Sequence, residues 1–274
     1  MSKLFINCSK IAFLVTGLLL TPQIGTLADT PTLKEGDPSS IIAQTDESTP
    51  ASAIDERADE ILRQMSEFIE SQGKFSFSAE TERDFLTTSG VYIKVAHDVD
   101  VLVKRPNQFW ATATGDLVQR EFWYDGKQVT VVDTERNIYA SGDAPATMDE
   151  TLDTLIQKLK VDMPLADLLY SDIYEGLTKN VQFGYYFGMS EVDGVPCHHL
   201  VFVQDGIDWQ VWIEDSDTPV LRKVAIAYKE REGVPRYTAT LSDWNFEPEI
   251  ASDRFTFSPP ANAEKVEFVH ATPF

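Results

Sequence analysis

Lys74-Phe75-Ser76-Phe77-Ser78-Ala79-Glu80 alternates apolar and polar residues at every step. Because successive side chains of a strand point to opposite faces of a sheet, this alternation predicts a strand with one buried and one solvent-exposed face. Antiparallel sheets commonly leave one face in water. The stretch therefore predicts a strand of an antiparallel sheet whose apolar face packs on a core.

The same period of two continues through much of the chain. It runs from Val91 to Val103, includes Val129 and Val131, and returns in the later stretches 181–187, 195–203, 207–213, 220–228 and 237–246. Turn-forming pairs with glycine, such as Asp125-Gly126 and Asp193-Gly194, separate these stretches. Their spacing predicts about a dozen strands joined mainly by hairpins.

Three segments repeat apolar residues at helical spacing instead. Ser52 is predicted to cap an N-terminal helix that ends at Gly73. Thr147 and Glu150 form a capping box before a second helix, and Pro164 opens a third, short one. The fold class is therefore α+β: a single long antiparallel sheet, which must curl or split, with the central helices as the cover of its apolar face.

The first 28 residues predict a cleavable secretory signal peptide. Two lysines precede an apolar run at 11–20 that is too short to span a bilayer, and small residues follow at 26–28. An uncleaved membrane anchor is the alternative. Residues 29–53, rich in Pro, Ser, Thr and acids, are predicted to be a disordered linker, and residues 54–270 a single domain. We expect a periplasmic protein with no transmembrane anchor after cleavage.

The charge balance excludes some classes of function. The chain has 44 acidic and 23 basic residues, a formal net charge of −21. Because phosphate contacts need clustered Lys and Arg, no nucleic-acid partner is expected. The chain also carries no phosphate-binding glycine loop, no Gly-x-Ser-x-Gly and no His-Glu-x-x-His. We therefore expect no cofactor and no enzymatic activity.

Several short motifs resemble those of a known family. They are Arg105-Pro106, Tyr124-Asp125-Gly126, Asn137-Ile138-Tyr139, Pro164-Leu165-Ala166-Asp167-Leu168-Leu169, Cys197-His198-His199-Leu200 and Asp208-Trp209-Gln210-Val211-Trp212-Ile213. Over about 54–246 the chain resembles an uncharacterised family of predicted periplasmic proteins, domain of unknown function 2092, within the LolA/LolB-like superfamily. The stretch 102–109 also resembles the strand-end motif of LolA, the periplasmic lipoprotein carrier. The resemblance implies an unclosed barrel in which helices form a lid over an apolar cavity for acyl chains.

This resemblance suggests a ligand site on the apolar phase of the strands and on the central helices. The candidate side chains are Phe75, Phe77, Ile93, Phe122, Tyr124, Val129, Val131, Leu152, Leu155, Leu159 and Trp209. The alternative is that they fill an ordinary core, which a sequence does not distinguish from a cavity. For Arg105, the resemblance implies a latch that bonds to the lid helices; the alternative is an exposed cation paired with an acid.

Cys197, His198 and His199 have side chains suited to metal binding or nucleophilic chemistry. Adjacent residues of a strand point to opposite faces, so the two histidines cannot bind one ion. Cys197 and His199 share a face, but a zinc site would need His97 or an acid to complete it. A thiol nucleophile with His199 as its base is the other chemical alternative. We favour buried packing of Cys197, with no metal and no catalytic residue.

The sequence thus predicts non-covalent binding or carriage of a hydrophobic small molecule or acyl chain. Two alternatives stay open: a module that senses or binds another envelope protein, and a hydrolase or metal site at Cys197 and His199.

Overall fold

The computed structural model describes residues 53–268. Its helices are α1 (Glu56–Ser71), α2 (Met148–Asp153) and α3 (Ile173–Thr178), with a π-helical turn at Thr154–Lys158 and a 3-10 turn at Ala166–Leu169. The first six strands are β1 (Lys74–Leu86), β2 (Tyr92–Lys104), β3 (Gln108–Gly115), β4 (Val118–Tyr124), β5 (Gln128–Asp133) and β6 (Ile138–Asp143). The others are β7 (Val181–Val192), β8 (Val195–Gln204), β9 (Ile207–Glu214), β10 (Leu221–Tyr228), β11 (Arg236–Asn245) and β12 (Glu264–Val266).

All twelve strands belong to one sheet, in the order β12-β6-β5-β4-β3-β2-β1-β11-β10-β9-β8-β7. Every neighbouring pair is antiparallel except β12 with β6. Among the described strands, no pairing joins the end strands β7 and β12, so the sheet is open. The predicted α+β class, with an unclosed antiparallel sheet of about a dozen strands, is confirmed.

The register aligns the apolar residues of neighbouring strands into rows. Phe75 lies opposite Val103, Val103 opposite Phe109, and Phe109 opposite Tyr124. All four side chains are fully buried. We call this side of the sheet the core face; α1 and residues 147–178, named the covering segment, pack their own apolar side chains into the same core.

The N-terminal helix begins later than its sequence predicts. Asp55 is the cap, and its Oδ1 accepts hydrogen bonds from the backbone N–H groups of Arg57 and Ala58, each at 3.1 Å. Ile54 forms a parallel β-bridge with Gly184. The predicted cap at Ser52, which lies outside the described residues, is therefore wrong: the chain is still extended at Ile54, and a carboxylate placed just before the helix satisfies its first N–H groups.

The covering segment starts as predicted and then departs from regular helix. Thr147 Oγ1 accepts from the Glu150 N–H at 3.2 Å, which confirms Thr147 as the cap, while the Glu150 carboxylate accepts from the Thr147 hydroxyl at 3.0 Å instead of from its backbone N–H. The predicted third helix is split into the 3-10 turn and α3, because Tyr170 between them has an extended backbone and Asp172 caps α3 anew. Within residues 53–268, no helix is long and apolar enough to cross a membrane.

Candidate functional site

A cavity of about 140 Å³ lies between the core face and the covering segment. Strands β1 to β4 and β11 form one wall, and residues 162–166 with Leu169 form the other. Its apolar lining comprises Val99, Val101, Ala111, Ala113, Val118, Phe122, Met163, Pro164, Leu165, Ala166 and Leu169. The polar lining comprises Thr81, Arg83, His97, Thr112, Arg120, Asp162 and Tyr237.

Small residues on β3 account for the space. Phe109 fills its row of the core face, but the next two residues in phase are Ala111 and Ala113. They lie opposite Val101 and Val99 of β2, which are also short side chains. Because a methyl group replaces an aromatic ring in two successive rows, the core face recedes there from the covering segment.

Polar side chains follow the aromatic rows on the core face. On β4, Phe122 is followed in phase by Arg120, and on β1 the apolar residues Phe75, Phe77 and Ala79 are followed in phase by Thr81 and Arg83. Arg83 pairs with Asp162 of the covering segment, and their side chains are 36% and 59% exposed. The cavity thus has an apolar interior and a polar, solvent-exposed mouth.

Arg105, just beyond the end of β2, binds the covering segment. Its Nη1 donates to the carbonyl oxygens of Leu169 at 3.0 Å and Tyr170 at 3.2 Å, and Nη2 donates to that of Leu168 at 3.4 Å. These carbonyls lie where the 3-10 turn ends, a point at which backbone acceptors lack helical partners. Burial lowers the pKa of Arg105, with Glu70 and Asp149 acting in the opposite direction. A guanidinium remains charged regardless.

Carboxylates also hold the covering segment. Tyr170 donates its hydroxyl to Asp153 at 3.0 Å. Ser171 donates its N–H to Asp149 at 3.0 Å, and the Ile173 N–H donates to Glu70 of α1 at 2.6 Å. Three carboxylates therefore join the second half of the covering segment to α1 and to α2.

Asp167 is an exception among these acids. It lies in the 3-10 turn, it is 3% exposed, and its Oδ1 has no hydrogen-bond partner among the described residues. Burial raises the pKa of Asp167 well above its ordinary value, although Lys179 acts in the opposite direction. A carboxyl in such surroundings favours its neutral form.

The structure places most of the predicted ligand residues in the packed core beside the cavity. Phe122 lines the cavity. Seven are buried in the core: Phe75, Phe77, Tyr124, Val129, Leu152, Leu155 and Trp209. Val131 and Leu159 pack against it with partial exposure, and Ile93 is 41% exposed near the tip of the β1–β2 hairpin.

Most residues that line the cavity were not predicted from the sequence. The predicted ligand residues are mainly large side chains, whereas the space lies over Ala111 and Ala113 and under residues 162–166. One signal was present: Ala-Thr-Ala-Thr-Gly at 111–115 has the period of a strand but only methyl groups in its apolar phase. A core-facing strand of small residues indicates either close packing or a gap.

The Cys197 and His199 side chains form hydrogen bonds with different partners. The Cys197 Sγ donates to the Val195 carbonyl at 3.3 Å, and burial raises the pKa of this thiol to about 11. His199 hydrogen-bonds Gln210 at 2.9 Å and stacks on Trp212, with ring centroids 4.1 Å apart. Because thiol nucleophiles act as thiolates, this geometry favours packing over chemistry. Among residues 53–268, no group of three or more His, Cys, Asp or Glu side chains could hold a metal ion.

Replacement of Cys197 by serine tests the packing role. Because the Val195 carbonyl remains available to the new hydroxyl, we expect Cys197→Ser to cost at most about 1–3 kcal/mol of unfolding free energy. Uptake of a hydrophobic probe should not change. Chemical denaturation and a probe titration measure the two quantities. Loss of probe uptake by Cys197→Ser, at an unchanged melting temperature, would instead support thiol chemistry.

One edge of the sheet carries exposed apolar side chains. They form the β7 row: Phe183, Tyr185 and Phe187. The row lies on β7, an end strand of the sheet. Along the edge of β7 that pairs with no other described strand, Gly184 forms backbone hydrogen bonds with Ala53 and Asp55. Exposed apolar rows of this kind are typical of contact surfaces.

Residues 58–269 match the model of a family described as "Predicted periplasmic protein (DUF2092)". The chain belongs to this family. The resemblance predicted from its motifs is thereby confirmed, and so is its description as a predicted periplasmic protein. No curated protein matches this DUF2092 chain.

Several solved structures have a similar fold. An uncharacterized conserved protein from Thermus thermophilus has 11% sequence identity and a TM-score of 0.46, covering 77% of this chain and 99% of its own. LprF from Mycobacterium bovis has 18% identity and a TM-score of 0.45, covering 72% and 97%. A LolA superfamily protein from Nitrosomonas europaea has 13% identity and a TM-score of 0.36, covering 73% and 97%. At these values the likenesses carry no argument about function.

Proposed function

We propose that this DUF2092 protein binds a hydrophobic ligand, a lipid or an acyl chain, non-covalently between its core face and its covering segment. The observation that carries the proposal is the apolar cavity beneath residues 162–169. Ligand pockets are typically concave and mostly apolar, with a few polar groups. The covering segment would act as a lid, and Arg105 as its latch.

The cavity is too small for an acyl chain unless the lid moves. A volume of about 140 Å³ is smaller than the range of about 300–1,000 Å³ common for ligand pockets. An acyl chain would therefore need additional space. Displacement of residues 162–169 would supply it, since this stretch forms one wall of the cavity while the sheet forms the other.

Lid closure and ligand binding would then compete for the same apolar surface. The closed state is stabilised by the Arg105 hydrogen bonds and by the Arg83–Asp162 ion pair. A ligand binds only to the open state. The more stable the closed state is, the smaller the open fraction of the protein and the weaker the apparent affinity.

Filling the cavity should abolish uptake. Ala113→Phe places a ring in the cavity, and we expect at least a roughly tenfold loss of affinity for N-phenylnaphthylamine, a neutral probe that fluoresces in apolar surroundings. The matched control is Ala225→Phe, on β10 in the phase opposite to the buried Val224 and Ile226. A fluorescence titration of the two variants and the wild type measures the difference.

The result that would contradict the proposal is a wild type that binds no probe. Equal binding by Ala113→Phe and Ala225→Phe would place the probe elsewhere on the protein. Melting temperatures are compared first, because an overpacked strand itself costs about 1–3 kcal/mol.

We also propose that the protein reaches the periplasm through a cleaved signal peptide. The family description supports the compartment, and the short apolar run after two lysines supports the route. N-terminal sequencing of the mature protein should begin at or close to Asp29. An intact Met1 in the membrane fraction would contradict cleavage.

A second candidate function is contact with another envelope protein. The β7 row supports it, because exposed aromatic side chains on an end strand are suited to protein contact. The probe titration separates the candidates. A wild type that takes up no probe would favour this function over carriage.

A further inference from the structure

Basic residues outnumber acidic residues at the mouth of the cavity, whereas acidic residues outnumber basic ones in the whole chain. Overall, acids outnumber basic residues by 44 to 23. Among the described residues that line the cavity, however, Asp162 is the only acid, whereas Arg83 and Arg120 are both basic and His97 adds an imidazole. Two guanidinium groups at one cavity mouth are the chemistry that recognises carboxylates and phosphates.

Both arginines have side-chain N–H donors that make no hydrogen bond with the described residues. Arg120 pairs through its backbone with β3 and β5, but its side chain forms no hydrogen bond or ion pair with the described residues. Arg83 binds Asp162 through Nη1, but its Nε is buried without a hydrogen-bond partner among the described residues. A buried donor without a partner is costly, and a ligand oxygen would satisfy it.

The register places these groups next to apolar surface. Arg120 lies opposite Ala113, which lines the cavity interior, and Arg83 lies opposite Tyr237, a buried cavity-lining residue of β11. A molecule with its chain over Ala111 and Ala113 would therefore have Arg120 at one end, and Arg83 of β1 lines the same cavity.

We propose that the ligand of this cavity is an amphiphile with an anionic head, which Arg83 and Arg120 bind after the head displaces Asp162 from Arg83. The inference rests on the proposed function and names its ligand class. It also connects recognition with opening, because Asp162 belongs to the covering segment: exchange of one carboxylate for another at Arg83 releases that segment from β1.

The net charge of the protein does not oppose this exchange strongly. At physiological ionic strength, exposed charges more than about 8 Å apart are largely screened. The nearby guanidinium groups, partly removed from water, therefore dominate the interaction with the head.

The test compares amphiphiles that have different head groups on the same dodecyl chain. Dodecanoate, dodecyl phosphate, dodecanol and dodecyltrimethylammonium are each titrated as competitors of N-phenylnaphthylamine bound to the wild type. We expect the two anions to compete about tenfold better than dodecanol, and the cation to compete worst. The ratio of dodecanoate to dodecyl phosphate distinguishes a carboxylate head from a phosphate head. This comparison needs no variant.

Two variants test the residues. Arg120→Gln should reduce the preference for dodecanoate over dodecanol about threefold, because Arg83 remains to bind the head. Asp162→Asn removes the internal competitor and should raise dodecanoate affinity by about threefold, as expected for a partly exposed ion pair. Asp208→Asn is the matched control, because it breaks an ion pair with Lys229 of similar exposure away from the cavity; it should leave affinity unchanged.

Equal competition by dodecanol and dodecanoate would overturn the anionic head and leave hydrophobic binding intact. A wild type that binds no probe would overturn both. A preference for the cation would also contradict the inference.

Discussion

Replacement of Arg105 by leucine should open the lid. The change removes three hydrogen bonds from a charged donor to the carbonyls of Leu168, Leu169 and Tyr170, and hydrogen bonds to charged groups are worth about 1.5–3 kcal/mol. We expect more N-phenylnaphthylamine fluorescence and about a tenfold higher affinity for a dansyl-labelled fatty acid, because the closed state no longer competes as strongly. Equilibrium fluorescence titration measures both.

Arg105→Lys separates the charge from the geometry. Lysine keeps the positive charge but lacks the planar fork that reaches several carbonyls at once, so an intermediate affinity is expected. Arg136→Leu is the control, because Arg136 is an exposed residue paired with Asp133 between β5 and β6. Wild-type affinity in Arg105→Leu, with the melting temperature lowered, would mean that Arg105 stabilises the fold without latching a lid.

Replacement of Asp167 by asparagine should stabilise the protein increasingly as the pH rises. Burial raises the pKa of Asp167 in the folded state, so the folded protein holds this proton more tightly than the unfolded chain does. The stability that depends on this proton is complete below the unfolded pKa of about 3.9 and is lost as the pH rises through the folded pKa. Asparagine carries no charge to bury and avoids that loss.

Melting temperatures of Asp167→Asn and wild type across pH 4 to 8 test this sign. Their difference should be small in acid and grow towards neutral pH, with each 1 kcal/mol worth about 2–4 °C. Asp98→Asn, at an exposed position of β2, should show a difference that does not vary in this way. A difference for Asp167→Asn that shrinks as the pH rises would show that a cation holds Asp167 ionised.

The strands were predictable from the sequence because alternation and turn residues are local signals. Thr147 likewise specifies the start of α2 within one turn of chain, by accepting from the Glu150 N–H. The start of α1 was not predictable from the same signal, since Ser52 and Asp55 are both good caps and the bridge from Ile54 to the distant Gly184 decides between them. The split of the third helix at Tyr170 coincides with carbonyls bound by Arg105 from another part of the chain.

The site was predictable only in part. The contact of Arg105 with the central helices was expected only from the resemblance of the motif at 102–109, and the structure shows its guanidinium on the carbonyls of the covering segment. The cavity could not be placed, because it arises from what Ala111 and Ala113 do not fill and from where residues 162–166 lie above them. Such a gap depends on register across five strands, and no single stretch of sequence encodes it.

Native mass spectrometry of the protein purified from its own host tests directly whether the cavity holds a hydrophobic ligand. A fraction of the wild-type protein should carry a bound small molecule that is released on collisional activation and extracted by organic solvent as a lipid or fatty acid. Ala113→Phe should carry none, and Ala225→Phe should carry as much as the wild type. Wild-type protein that appears only at its own mass, and that takes up no added amphiphile, would show that the cavity binds no such ligand.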